Sequence, residues 1–72
     1  MKQVDLKPFI PDNRNGKFNS DLFQGTIIES MGLGKYCVNI MFLGVAPKSR
    51  VVGTNEEALK LEAEIWRAMS DE

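Results

Sequence analysis

The chain has 72 residues, of which 43% are hydrophobic and 26% are charged, so it can form one hydrophobic core but is too short for two. A single cysteine and the lack of histidine exclude an internal disulfide, a cysteine–histidine zinc site and catalysis by an imidazole. We therefore expect a protein that is not an enzyme and holds no metal or cofactor. The formal net charge is -1, but residues 1–54 carry seven basic and four acidic side chains, whereas residues 55–72 carry two and six.

The N-terminus lacks the apolar stretch of a secretory signal, and the longest apolar run is too short to span a bilayer, so we expect a cytoplasmic protein.

The first 24 residues predict an arm that precedes the main domain. The pair Asn15-Gly16 is a turn signal that could join an extended segment over residues 6–10 to another starting at Phe18. Pro8 and Pro11 restrict the first segment to a sheet edge or a coil.

The arm holds too many large apolar side chains for a free tail. They are Phe9, Ile10, Phe18, Leu22 and Phe23. We expect the arm to pack on the chain's own sheet or on a neighbouring subunit. Because so small a core often depends on association, we also expect a homodimer.

Residues 25–72 predict a domain of three strands and a helix. A strand over residues 26–29 leads into a loop over residues 30–34, whose two glycines permit a hairpin. The central strand over residues 35–43 alternates with a period of two, and a third strand follows at residues 50–52. One face of the central strand carries Tyr36, Val38, Ile40 and Phe42, and the other carries Lys35, Cys37, Asn39 and Met41.

The C-terminal helix has the clearest start signal in the chain. Thr54 and Glu57 have the spacing of a capping box, and apolar residues recur at helical spacing to about Met69. Together the elements predict an α+β fold, in which a three-stranded antiparallel sheet, with an added N-terminal strand or arm, packs against one C-terminal helix.

Two residues of the predicted helix are singled out. Trp66 is expected to be a core residue. Glu62 lies within the apolar arc, where an unpaired carboxylate would cost several kcal/mol. We expect it to pair with Tyr36 or Arg50, to reach the edge of the core or to face a second subunit.

The order of these elements resembles the three-strand-plus-helix DNA-binding domain of plant ethylene-response factors and the arm-binding modules of tyrosine integrases. The resemblance covers residues 25–69, about two-thirds of the chain. It rests on Gly34-Lys35-Tyr36-Cys37-Val38-Asn39-Ile40, on Arg50-Val51-Val52-Gly53-Thr54 and on Glu56-Glu57-Ala58.

This resemblance implies a small non-catalytic DNA-binding or regulatory module, with an origin in a mobile element as the integrase likeness suggests. The sheet face away from the helix would enter the major groove of double-stranded DNA. Lys35, Asn39 and Arg50 would then contact bases, and Lys48 and Lys17 would hold phosphates.

The alternative is a protein–protein interaction module, a small regulator or inhibitor with no nucleic-acid role. Met31 and Leu33 at the hairpin tip are unusually apolar for a turn and favour this alternative. The candidate interface residues are Phe9, Phe23, Met31, Leu33, Met41 and Glu62.

Overall fold

The computed structural model describes residues 3–11 and 16–70, which form a three-stranded sheet, a separate two-stranded sheet and one long helix. The predicted α+β class is therefore confirmed, including the extra N-terminal strands. In chain order the elements are β1 (Gln3–Asp5), β2 (Lys17–Asn19), a short 3-10 helix (Ser20–Leu22), β3 (Phe23–Gly32), β4 (Lys35–Phe42), β5 (Lys48–Val52) and α1 (Asn55–Ser70).

The three-stranded sheet is antiparallel, with β4 between β3 and β5. The predicted alternation of β4 is confirmed, because Val38, Ile40 and Phe42 are buried on the face that α1 covers. β3 is longer than predicted, since pairing continues through irregularities between Phe23 and Gly25 and between Ser30 and Gly32. An extra residue at each irregularity interrupts the period-two pattern without ending the strand.

Helix α1 begins at the predicted capping box. The Glu57 amide donates to Thr54 Oγ1 at 3.0 Å, and the Thr54 hydroxyl in turn donates to Glu57 Oε1 at 3.2 Å. The side-chain oxygen thereby satisfies one of the amides that a helix start leaves without a partner. The helix buries a stripe consisting of Ala58, Leu61, Ile65 and Met69 against the sheet.

The N-terminal arm folds back into the core of its own chain. β1 pairs with β2, and Val4, Leu6 and Ile10 join the same buried cluster as the sheet and helix. Of the two alternatives for residues 6–10, the sheet edge is wrong and the coil is confirmed, because the Ile10 amide donates to the Leu6 carbonyl at 2.7 Å and closes a tight turn. The fixed φ of Pro8 suits such a turn. The predicted Asn15-Gly16 turn lies partly outside the described residues.

Gly25 brings the backbone of β3 close to α1. Its φ of +121° is rarely adopted by residues with a side chain, and a Cβ built there would lie 3.4 Å from Trp66 Cζ2. The backbone conformation, more than the space beside the Trp66 ring, therefore requires glycine at this position.

We predict that Gly25→Ala lowers the free energy of unfolding by more than Gly44→Ala does. Both glycines have positive φ, but the +82° of Gly44 lies near the left-handed region that residues with a side chain can enter, whereas the +121° of Gly25 lies outside it. Gly44→Ala should lose about 1–2 kcal/mol from backbone strain, and Gly25→Ala up to about 3 kcal/mol. Urea unfolding followed by circular dichroism measures both, and equal losses would contradict this difference in backbone strain.

Candidate functional site

The face of the sheet opposite α1 is open. Residues paired across an antiparallel ladder project to the same face, so Ile27 and Ser49, which pair with Asn39, share its outward direction. Val51 shares it as well, because it pairs with Cys37. By this register the outward face carries Ile27, Glu29, Lys35, Cys37, Asn39, Met41, Ser49 and Val51.

Two of the predicted DNA-contacting residues lie on the other face. Arg50 pairs with Val38 and Lys48 pairs with Ile40, so both project towards the helix side of the sheet. Their predicted outward placement is wrong, because adjacent Val51-Val52 gives no period-two signal and left the direction of β5 ambiguous.

Each of these cations contacts the N-terminal arm. Arg50 Nη1 donates to the Phe9 carbonyl at 3.0 Å and so satisfies a backbone oxygen of the tight turn. Lys48 Nζ lies 5.4 Å from the centre of the Phe18 ring, within the range of a cation–π contact. The structure therefore gives both side chains a role in attaching the arm.

Asn39 is placed outward as predicted, but its amide is already occupied. Asn39 Nδ2 donates to Glu29 Oε1 at 2.8 Å, and Asn39 Oδ1 accepts from the Ser49 hydroxyl at 2.6 Å. The Cys37 thiol lies 3.7 Å from the same oxygen. This network joins all three strands, and contact of Asn39 with a base edge would have to break it.

The five predicted DNA-contacting residues do not form one surface. Lys35 and Asn39 face outward, Arg50 and Lys48 face inward, and Lys17 lies in β2 opposite Asp5. Lys35 is thus the one basic side chain among the described residues of the outward face, which it shares with Glu29.

The predicted interface residues do not form one surface either. Phe9 and Phe23 pack against the chain's own core, and Phe23 makes edge contacts with Phe42 and Trp66. Met41 is half-buried on the outward face. Met31 and Leu33 are exposed at the β3–β4 hairpin, and the Leu33 side chain is 100% exposed.

Leu33 is held in an unfavourable conformation. Because Gly32 pairs with Lys35, Leu33 and Gly34 form a two-residue loop, and their φ values of 54° and 77° match a type I′ turn. Asn, Asp or Gly is usual at the first of these positions, whereas a bulky residue there is strained. A fully exposed leucine at this position costs stability and gains no contact within the fold.

Glu62 is paired, but with a partner that the sequence did not suggest. Thr26 Oγ1 donates to Glu62 Oε2 at 2.6 Å, and the same hydroxyl accepts from Trp66 Nε1 at 3.0 Å. The expected partners Tyr36 and Arg50 are therefore wrong. Trp66 is 47% exposed rather than a core residue. Both helix residues instead contact the flank of β3. The sequence did not predict this contact, because it depends on how β3 is positioned against α1.

Sequence reasoning missed several exposed apolar residues beside this flank and on the open face. Ile27, Val51 and Leu59 are each about half exposed. Ile27-Ile28 and Val51-Val52 show no alternation, so their outward directions follow only from pairing with β4, whereas the signal for Leu59 was its seven-residue spacing from Trp66.

Other candidate sites have less specific chemistry. An open cleft of about 230 Å³ lies between α1 and β5, where Arg50 and Lys60 balance Glu57 and Glu64.

Within residues 3–11 and 16–70, no group of three or more histidine, cysteine, aspartate and glutamate side chains is arranged to hold a metal ion. No helix in that part of the chain is long and apolar enough to cross a membrane.

Comparisons with protein-family models, with curated proteins and with solved structures find no match to this chain. The resemblance to ethylene-response factors and integrase arm-binding modules therefore stays a prediction. The assignment of a function depends on the geometry described above.

We predict that Glu62→Gln lowers the free energy of unfolding by about 0.5–1.5 kcal/mol, because it replaces a charge-assisted hydrogen bond with Thr26 by a neutral one. Thr26→Val should cost more, since it removes the partner of both Glu62 and Trp66.

Glu64→Gln on the exposed side of the helix is the control, with an expected change below about 0.5 kcal/mol. Urea unfolding followed by Trp66 fluorescence measures all three variants. Equal effects of Glu62→Gln and Glu64→Gln would contradict the role of the Thr26 contact.

Proposed function

We propose that this chain is a small non-catalytic protein-interaction module. Its binding surface consists of the β3–β4 hairpin tip and the outward face of the three-stranded sheet. The observation that carries the proposal is Leu33, a fully exposed leucine in a positive-φ turn position. Strain that the fold does not need is a feature of functional sites.

The composition of the outward face supports the same proposal. Ile27 and Val51 are about half exposed there, on the two strands that flank β4, and half-buried Met41 faces the same way on β4. Sheet faces with exposed apolar side chains and few charges are suited to protein contacts, because burial of apolar area drives association. Met31 extends this apolar character to the hairpin tip.

The charge distribution favours this function over DNA binding. Affinity for duplex DNA depends on several phosphate contacts made from one surface. The cations available for that purpose are divided between the two faces, and Glu29 lies beside Asn39 on the open one.

The homodimer stays a prediction. It was expected because the core is small and because the arm is rich in phenylalanine, which could pack on a second subunit. Most of the large apolar side chains of the arm pack in the chain's own core, where Ile10 is buried and Phe18 stacks on Phe42 at 5.0 Å, whereas Leu22 is 40% exposed.

A photo-crosslinking amino acid placed at Leu33 tests the proposal, with the same substitution at exposed Glu56 as the control. In the cells that produce this protein, we expect one discrete crosslinked protein at position 33 and none at position 56. Excess wild-type protein should compete with it, and excess Leu33→Asn protein should compete poorly.

The same crosslinked proteins at positions 33 and 56 would overturn the proposal. So would tight binding of the folded chain to random duplex DNA at low salt that Lys35→Ala weakens. That result would instead support the DNA-binding alternative.

We predict that Leu33→Asn stabilises the fold by about 0.5–1 kcal/mol, because Asn-Gly is preferred in a type I′ turn and tolerates positive φ. Leu43→Asn is the matched control, since Leu43 is also exposed but does not have positive φ. Thermal unfolding measures both variants. If Leu33→Asn is more stable than the wild type but competes poorly for the crosslink, Leu33 serves binding and not folding. If Leu33→Asn is less stable than the wild type, the proposed backbone strain at Leu33 is contradicted.

A further inference from the structure

The two edges of the three-stranded sheet are protected to very different degrees. β5 has five residues, follows Pro47 and carries Lys48 and Arg50, which are features that discourage pairing with another chain. β3 has ten residues and lacks proline, lysine and arginine, and its one charged side chain is Glu29. Among the described residues, no strand pairs with the outer side of β3.

The middle of β3 is a regular hydrogen-bonding edge. Its irregularities are confined to the two ends, so the stretch from Gly25 to Ser30 pairs with β4 without interruption. In an antiparallel strand, alternate backbone groups point away from the paired neighbour. These amide and carbonyl groups require an extended chain as their partner, which specifies the conformation of any segment that binds there.

Helix α1 forms a wall along this edge. Glu62 and Trp66 hydrogen-bond to Thr26, which places their side of the helix over β3. Leu59 lies seven residues before Trp66, two helical turns away on the same side, and both side chains are about half exposed. A strand added to β3 would therefore direct every second side chain towards Leu59 and Trp66.

The charge beside the middle of β3 is negative. Glu29 is the one charged side chain of the strand and Glu62 lies on the helix above it, whereas Lys35 lies at the hairpin end of the neighbouring strand, opposite Gly32. A second copy of β3 would bring this acidic surface against itself, which disfavours the pairing. A basic segment would instead be attracted.

We propose that β3 and the Leu59–Trp66 side of α1 form a docking groove for an extended segment of a partner protein, which adds as a fourth strand. In that segment apolar side chains alternate with others that include lysine or arginine. The apolar side chains contact Leu59 and Trp66, and the basic ones lie near Glu29 on the outward face. This inference rests on the proposed interaction function but uses a different surface from the hairpin tip.

Selection of a random twelve-residue peptide library, displayed on phage, against the immobilised full chain tests this groove. We expect enriched peptides with alternating apolar residues, an excess of lysine and arginine, and no proline in the alternating stretch. The best peptide, made synthetically, should slow amide exchange in the Gly25–Ser30 stretch of the protein. Enrichment of acidic peptides, or slowed exchange confined to β5, would overturn the proposal.

Two charge substitutions of similarly exposed residues give the matched comparison. Leu59→Lys should weaken binding of the synthetic peptide by at least about tenfold, because it removes an apolar contact and adds repulsion. Val45→Lys, in the β4–β5 connection and 46% exposed, should change it by less than about twofold. Both sites are exposed, and an unchanged thermal midpoint verifies folding. Equal effects, or no effect of Leu59→Lys, would overturn the groove.

The outcomes also separate this inference from the proposed function. A specific crosslink at Leu33 together with no enriched peptide would leave the interaction module standing and overturn the β3 groove. Absence of both would overturn both. Slowed exchange in β3 that depends on protein concentration alone, with a dimer mass in sedimentation equilibrium, would show that a second copy occupies the edge and would overturn the partner proposed here.

Discussion

One helix can cover one face of a sheet, and the rest of this structure depends on that constraint. The alternation of β4 places Val38, Ile40 and Phe42 under α1, and the buried stripe of the helix completes the core from the other side. The N-terminal arm fills the remaining part of the same face through Val4, Leu6 and Ile10. The outward face and the β3 edge therefore have no covering element among the described residues.

This one-sided arrangement also determines what the polar side chains do. On the covered side, Arg50 and Thr26 form hydrogen bonds that attach the arm and the helix to the sheet. On the open side, Asn39 joins Glu29 to Ser49 across the three strands. Most of the groups suited to nucleic-acid contacts are thus committed to the fold, whereas exposed apolar groups remain at Leu33, on the outward face and beside β3.

The sequence was sufficient where the signal was local. The capping box at Thr54 and the alternation of β4 each arise from neighbouring residues, so the helix and the central strand were predicted correctly. The sequence did not predict which side chains of β5 face outward. Arg50 and Lys48 face inward because they pair with Val38 and Ile40. The pairing of Glu62 with Thr26 spans 36 residues and likewise depends on long-range packing. In the candidate site, Leu33 and Met31 could be recognised from their turn context. The exposed edge of β3 could be identified only once the strand order was known.

Residue-by-residue hydrogen exchange of the free protein measures whether β3 has the unpaired backbone groups that a partner strand would need. Amides that bond to β4 should exchange slowly, and the alternate amides that face away from β4 should exchange fast. We expect this alternation within the Gly25–Ser30 stretch at every protein concentration. Uniform protection of that stretch, equal to the protection of β4, would contradict it.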